Sequence, residues 1–238
     1  LGSAMAHLCV VGSLNVDHFT KVERFAAPGE TVLSDDYVLR FGGKGANQAI
    51  AAARQGAEVK MIGAVGRDEM GSTYRDRLAL EGIDVSHVGA ADGVTGSAFI
   101  SIDANGENTI VVAPGANAQL TAEEVEQARA EIESAGAVLL QFETTVSAVR
   151  RAVEIAADAE VPVILNPSPF RAGFPWSELP VDYLIVNEGE AAQIDERLGS
   201  SDELLVKNLI ITRGSKPALV YGIDEELEIP TISVEPID

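Results

Sequence analysis

Three features of the 238-residue sequence predict an α/β fold with a mostly parallel sheet covered by helices on both faces, and a small β-sheet beside it. Short Val-, Ile- and Leu-rich runs alternate with helical segments, the pattern of parallel strands joined by crossover helices. The first run, 7–14, is apolar almost throughout, as a strand buried on both faces is. Four other runs alternate apolar and polar residues, as strands with one wetted face do, and these supply the second sheet. With 46% apolar and 23% charged residues the composition is globular, and the length suits one large domain or one domain with a small appendage.

The first run passes into Asn15-Val16-Asp17, polar residues delivered at the carboxyl end of a buried strand. Segments 19–25 and 31–41 read as one-sided strands around the turn Pro28-Gly29. Residues 45–55 are Ala-rich and helical, 59–65 form a strand, and 70–81 form a helix that Gly82 stops. A second one-sided pair, 96–103 and 108–113, is joined by Asn105-Gly106. Thr121, with Glu124 three residues on, makes a capping box that opens a helix, and 137–142 is the strand after it. A helix at 146–157 precedes a strand at 161–165 that runs into Asn166-Pro167-Ser168-Pro169. A strand at 183–186, a helix at 188–197 and a strand at 209–212 continue the alternation. Residues are expected to be missing near 199–206, where the connection is short and Gly199-Ser200-Ser201-Asp202 has little pattern. More are expected beyond Asp238, because the strand-like stretch 228–234 has no covering helix.

Charge and cysteine usage narrow the function. Seventeen basic against 37 acidic residues give a net charge of −20, which argues against nucleic acid or an anionic membrane surface as partner. A small anionic ligand in a local pocket remains compatible. Cys9 is the sole cysteine, so neither an internal disulfide nor a cysteine metal cluster forms. It reads as inert core. His7, His18 and His87 are scattered without metal spacing and read as structural or exposed. No apolar run approaches the roughly 18 residues of a membrane span. Residues 1–6 lack the features of a signal peptide and read as an expression scar, so a cytoplasmic protein is expected.

Ligands on open α/β sheets bind beyond the carboxyl ends of the strands, so the polar residues just after each strand are the candidates. The densest signal is Phe41-Gly42-Gly43-Lys44-Gly45-Ala46-Asn47-Gln48-Ala49. Its glycines let backbone approach a ligand and leave N–H groups free to donate, and the helix that follows points its positive end at the loop. Lys44 suits a phosphate and Asn47 a hydroxyl; a tight strand-to-helix turn is the plainer reading. The segment is neither a Walker loop nor a dinucleotide fingerprint, which disfavours a dehydrogenase. Asp17, beside Asn15, can accept two hydrogen bonds from a diol, or the pair simply caps or turns the chain. Glu143 can reach the same crevice or stay solvated. Asn187 and Glu190 share one helical face and can hold the water shell of Mg²⁺, or they are an ordinary helix start. Thr212-Arg213-Gly214-Ser215 ends a strand in a turn that can line a nucleotide phosphate.

Taken in order, these segments resemble the ribokinase-like (PfkB) carbohydrate kinases, over residues 8–238. The resemblance is carried by Gly12-Ser13-Leu14-Asn15-Val16-Asp17, Pro28-Gly29-Glu30-Thr31, the segment from Gly42 to Ala49, and Val65-Gly66-Arg67-Asp68. It continues through Asn166-Pro167-Ser168-Pro169, Asn187-Glu188-Gly189-Glu190 and Ile211-Thr212-Arg213-Gly214. Within that family, Lys44 is the version ribokinases carry, and fructokinase-type members usually differ there.

The resemblance implies ATP-dependent phosphorylation of the primary hydroxyl of a pentose, with D-ribose giving ribose 5-phosphate. It assigns the sugar to Asn15, Asp17, Gly42, Gly43, Asn47 and Glu143, and the transferred phosphate to Lys44. Asn187 falls on the phosphate side with Glu190 organising Mg²⁺ through water, and Thr212 and Gly214 fall on the nucleotide side. Strands within 18–41 and 96–113 become a lid on a domain spanning 7–238, and the lid makes a homodimer contact. The family's second signature supplies the catalytic base and anion hole. Here the sequence stops at Glu235-Pro236-Ile237-Asp238, so the matching base is expected beyond Asp238, and Asp238 itself matches a position that helps hold an activating K⁺. A kinase of fructose, adenosine or a deoxy-sugar acid is the related alternative. A non-catalytic sugar-binding protein is the alternative of another class, should the chain end at Asp238.

Overall fold

Alternate side chains of a strand point to opposite faces of its sheet, so a run apolar at every position must be covered twice. Leu8–Val11 meets that condition as β1 in the computed structural model, which describes residues 7–34, 36–171, 173–198, 205–222 and 226–232. β2 (Asn15–Lys21), β3 (Asp36–Gly42), α1 (Lys44–Arg54), β4 (Val59–Gly66), α2 (Glu69–Leu80) and β5 (Asp84–Ala91) follow. Next come β6 (Gly96–Ile102), β7 (Asn108–Ala113), a 3-10 turn at Gly115–Gln119, α3 (Ala122–Gln127) and α4 (Arg129–Glu133). β8 (Ala137–Gln141), α5 (Val146–Asp158), β9 (Val163–Asn166), β10 (Val181–Asn187) and α6 (Glu188–Leu198) lead to β11 (Val206–Arg213), β12 (Lys216–Tyr221) and β13 (Glu226–Ile229).

The larger sheet has the order β13-β12-β11-β10-β9-β8-β1-β4-β5. Every pair from β11 to β5 is parallel, and β12 and β13 join antiparallel. On one face Cys9 and Val11 pack with Val125, Ile132 and Val149 from α3, α4 and α5. On the other, Val10 packs with Ala46 and Ala49 of α1 and Tyr74 and Leu78 of α2. Each fully buried aliphatic or aromatic side chain there contributes about 1.5–3 kcal/mol relative to exposure. After β1 the chain builds outward through β4 and β5, then crosses to β8 and builds the other way. The crevice beyond the carboxyl end of β1 is therefore a topological switch point.

The second sheet, β3-β2-β6-β7, stands over that end. β2 pairs antiparallel with β3 and parallel with β6, and β6 pairs antiparallel with β7. Its strands lie at 15–21, 36–42, 96–102 and 108–113, somewhat shifted from the expected limits. Asn15 and Asp17 do not close β1, which ends at Val11; they begin β2, at the root of the second sheet. Residues 31–34 are not strand: the Ser34 hydroxyl bonds to Lys21 O and Asp36 O and closes a loop instead.

Other elements depart from expectation for identifiable reasons. β5, Asp84 to Ala91, sits at the sheet edge with exposed polar positions, so it lacks the apolar run of a buried strand. β12 follows β11 through the Gly214 turn, at a φ of +62°, as a hairpin rather than after a crossover helix. β13 covers 226–229 against the expected 228–234; residues 230–232 are not strand, and 233–234 and most of 199–206 lie outside the described residues. The helix opened by Thr121 has the expected capping box but divides at Ala128 into α3 and α4. Cys9 is buried, and burial followed by the nearby Glu131 charge pushes its thiol up to about 12, as inert core requires. His7 is also buried and donates from Nε2 to Glu131 O at 2.8 Å. No helix among the described residues is long and apolar enough to cross a membrane.

Candidate active site

Gly42 ends β3 and Gly43 caps α1; a side chain at Gly43 would strike backbone, and one at Gly42 would displace the Asp17 carboxylate. A Cβ on Gly42 would lie 2.0 Å from Asp17 Oδ2, and one on Gly43 would lie 2.8 Å from Asn15 N. Gly43 also has a φ of +91°, a conformation that L side chains rarely adopt. These two residues let β3, the root of β2 and the start of α1 converge at the switch point. Tyr74, buried under the turn, holds it by donating its hydroxyl to Gly42 O.

The first amides of α1 are not left free for a ligand, contrary to expectation. Lys44 N donates to Glu143 Oε2 at 2.9 Å, Gly45 N to Ser13 Oγ at 3.2 Å, and Ala46 N to Ser13 O at 3.0 Å. Ser13 Oγ in turn donates to Glu143 Oε2 at 2.6 Å. A carboxylate from the loop after β8 thus occupies the positive end of α1, where an anion is favoured. One Glu143 oxygen is committed to the fold, and the other remains to accept from a hydroxyl.

Asp17 and Glu143 stand close enough for the charge of one to act on the other. Burial, reinforced by the Glu143 charge, pushes the Asp17 carboxyl up to about 6. Asn15, only 4% exposed, stands at the base of the same strand. Asn47 is exposed on the first turn of α1, and its backbone N donates to Gly43 O at 2.9 Å. Lys44 is half-buried, and its Nζ makes no hydrogen bond or ion pair among the described residues. The structure therefore gathers Asn15, Asp17, Gly42, Gly43, Lys44, Asn47 and Glu143 at one place.

Asn187 and Thr212 are direct register partners at the carboxyl ends of β10 and β11. Thr212 Oγ1 donates to Val186 O at 3.2 Å, and Gly214 turns the chain just beyond. β10 is three strands from β1, so at about 4.8 Å per strand this group lies roughly 14 Å along the edge from the Asp17 crevice. Asn187 and Glu190 form a reciprocal cap on α6. Glu190 N donates to Asn187 Oδ1 at 2.8 Å, and Asn187 N donates to Glu190 Oε2 at 2.9 Å. The ordinary helix start is thus present, and it leaves one Glu190 oxygen open. A single open carboxylate oxygen beside an amide fits a Mg²⁺ held through its waters rather than a direct cage. No cluster of three or more His, Cys, Asp or Glu able to hold a metal occurs among the described residues, and Asp238 lies outside them.

Sequence reasoning missed Ser13, Tyr74, Asn117 and Gln141. Gln141 ends β8 fully buried and donates to Gln48 Oε1 at 2.6 Å, bracing α1 against the sheet. Each acts through a partner at least 32 positions away, so no local pattern marks it. In sequence Asn117 is one of two amides, with Gln119, in the turn after β7, and nothing local sets it apart.

Hydroxyl acceptors at the switch point, a small sheet above them and a second polar strand-end group along the edge define a class. It is that of α/β proteins with polar strand-end groups at two places along one sheet edge. The pfkB family carbohydrate kinase profile matches residues 5–238, and the chain belongs to that family. It is 37% identical to the ribokinase of Haemophilus influenzae over 97% of this chain and 79% of that protein. It is 35% identical to the ribokinase of Bacillus subtilis over 98% of this chain and 80% of that protein. The structure of Arabidopsis thaliana ribokinase complexed with ribose and ATP superposes with a TM-score of 0.83 at 26% identity, covering 98% and 80% of the two chains. The protein is a phosphotransferase that acts on a sugar hydroxyl.

Proposed function

We propose that the protein transfers the γ-phosphoryl group of ATP to the primary hydroxyl of D-ribose, giving ribose 5-phosphate and ADP. The observation that carries this reading is the Asp17 carboxylate seated against Gly42, with Asn15 and Glu143 beside it. Two hydrogen-bond acceptors and an amide around a half-buried crevice match the hydroxyls of a furanose, and the ribose and ATP of the Arabidopsis complex support the choice.

Asp17, Asn15, Asn47 and the open oxygen of Glu143 bind the secondary hydroxyls and so orient the primary one. Gly42 and Gly43 let the sugar approach the backbone. Lys44 places its ammonium where the transferred phosphate passes, and the Asn187–Thr212 pair lines the donor side. The hydroxyl oxygen forms the new bond to phosphorus as the bond to the ADP oxygen breaks, and the hydroxyl proton leaves with a base. Positioning and charge neutralisation do most of the work in such a transfer. Mg²⁺, when bound through water by Glu190 with Asn187, neutralises charge on the phosphates. The second sheet acts as a lid over the sugar and as the contact of a homodimer. Exposed apolar side chains on both of its faces, Phe99 and Val111 on one and Ile110 and Val112 on the other, support that assignment.

The test is sugar-dependent ADP release by the full-length protein over a panel of ribose, 2-deoxyribose, fructose, adenosine and a deoxy-sugar acid. Ribose is expected to have the highest kcat/KM. A higher value for another member moves the assignment to that substrate, and turnover of none defeats the reading.

A further inference from the structure

Asn117 lies in the 3-10 turn after β7, 1% exposed and 102 positions from Asn15. Its amide brackets one peptide unit: Oδ1 accepts from Leu14 N at 2.9 Å, and Nδ2 donates to Leu14 O at 3.1 Å. These two bonds fix the sense of the amide, because a backbone N–H only donates and a carbonyl only accepts. The second Nδ2 hydrogen reaches Asn15 Oδ1 at 2.8 Å. Asn15 is thereby fixed in turn, with its oxygen turned inward. Its own Nδ2 has no acceptor among the described residues and is left to the crevice. The packing leaves no slack, since a Cβ on Gly96 would stand 2.2 Å from Asn117 Nδ2 and 2.4 Å from Asn15 Oδ1.

We infer that Asn117 is a positioning residue that holds Asn15 as a hydrogen-bond donor to a hydroxyl oxygen of the bound sugar. The inference rests on the reading of the crevice as the sugar site and adds a polarity to it. Ionised Asp17 only accepts. A hydroxyl that meets both residues therefore accepts from Asn15 and donates to Asp17, and the two bonds reinforce each other. An Asn15 free to turn would present a second acceptor and compete for the same hydrogen.

The experiment compares sugar KM, kcat and ATP KM of the full-length protein and of Asn117→Asp. That variant keeps the shape and the bond from Leu14 N, but sets a carboxylate oxygen against Leu14 O and Asn15 Oδ1, so Asn15 turns over. The sugar KM is expected to rise about tenfold, with kcat and ATP KM within about twofold. The discrimination between ribose and its 2-deoxy or 3-deoxy analogue is expected to shrink at least ~threefold, because the missing hydroxyl is no longer met by a donor. A merely structural role would lower thermal stability without moving that ratio, and an unchanged ratio in the folded variant overturns the inference. Should Asn117→Asp fail to fold, Asn15→Asp decides. It still accepts from Asn117, so the fold is retained, but it turns an acceptor to the sugar. A sugar KM raised about tenfold supports the inference, and one within about twofold of wild type overturns it. Wild-type protein that turns over no sugar overturns the underlying reading and this inference together; wild-type turnover with an unchanged ratio overturns the inference alone.

Discussion

Binding and folding make opposite demands on Asp17. To accept from two sugar hydroxyls it must be ionised, yet burial and Glu143 push its carboxyl up to about 6. The kcat/KM for the sugar, which reports ionisations of the free enzyme, is therefore expected to fall about tenfold between pH 7 and pH 5. A profile flat across that range would remove Asp17 from sugar recognition. The stability effect has the other sign. The folded state binds this proton more tightly than the unfolded chain, so the contribution of Asp17 to stability declines as pH rises from the unfolded value near 4 through about 6. Asp17→Asn should raise the Tm at pH 8 by more than at pH 4.5 while abolishing tight sugar binding, as scanning calorimetry at the two pH values would read. At this scale the sequence reveals a polar side chain that follows closely on an apolar run, as with Asp17 after β1 and Glu143 after β8. It does not reveal one whose meaning depends on a distant partner, such as Ser13 beneath Glu143, 130 positions away.

Helix ends show where local information suffices for an element. The capping box of α3 is complete within four residues, with Thr121 and Glu124 bonded both ways, and it was readable. The start of α1 looks in sequence like a loop of free N–H groups because the carboxylate that fills it comes from 99 positions away. Asp68 is intermediate. It caps α2 through Gly71 N at 2.7 Å, as an Asp before a helix should, but it also accepts from Thr95 N at 2.8 Å and Thr95 Oγ1 at 2.7 Å. Thr95 directly precedes β6, so this one carboxylate ties the helix to the root of the second sheet. Burial works to raise its pKa, but the hydrogen bonds from Thr95 and Gly71 outweigh it and hold the carboxyl below its usual range. That stabilisation is thus present at neutral pH and lost as pH falls through the lowered value, the reverse of Asp17. Asp68→Ala removes the cap and leaves the Thr95 N–H without its partner, a loss of about 2–3 kcal/mol. Urea denaturation at pH 7 should read it, and a loss under about 0.5 kcal/mol would show that the hub is redundant. β5 and β12 were illegible for a related reason: edge and hairpin strands need only one apolar face, and their pairing is set by neighbours rather than by their own pattern.

For the whole molecule, the alternation of strands and helices specified the parallel sheet, and the one-sided runs specified a second sheet, but neither specified what covers that second sheet. Its strands carry Phe99 and Val111 on one face, 50% and 65% exposed, and Ile110 and Val112 on the other. A bound sugar can occupy only part of the Asp17 face. A free sheet with two apolar faces would be unusual in water, and a second copy of the chain is the cover the proposed function supplies. Each copy carries a net charge of −20, so association must overcome mutual repulsion. Salt screens that repulsion, with a Debye length near 10 Å at about 0.1 M, and leaves apolar burial largely intact. The dimer is therefore expected to tighten as salt rises from about 20 to 300 mM, where a contact made by opposite charges would loosen. Light scattering coupled to gel filtration reads both the mass and its salt dependence. Val111→Glu, two strands from Asp17 and on the opposite face of the second sheet, should give a monomer with an intact main sheet and a raised sugar KM, because the proposed lid loses its support. A wild-type protein that stays monomeric at tens of micromolar in about 300 mM salt would separate the lid from assembly. The second sheet would then have to shield its apolar side chains by closing on its own crevice.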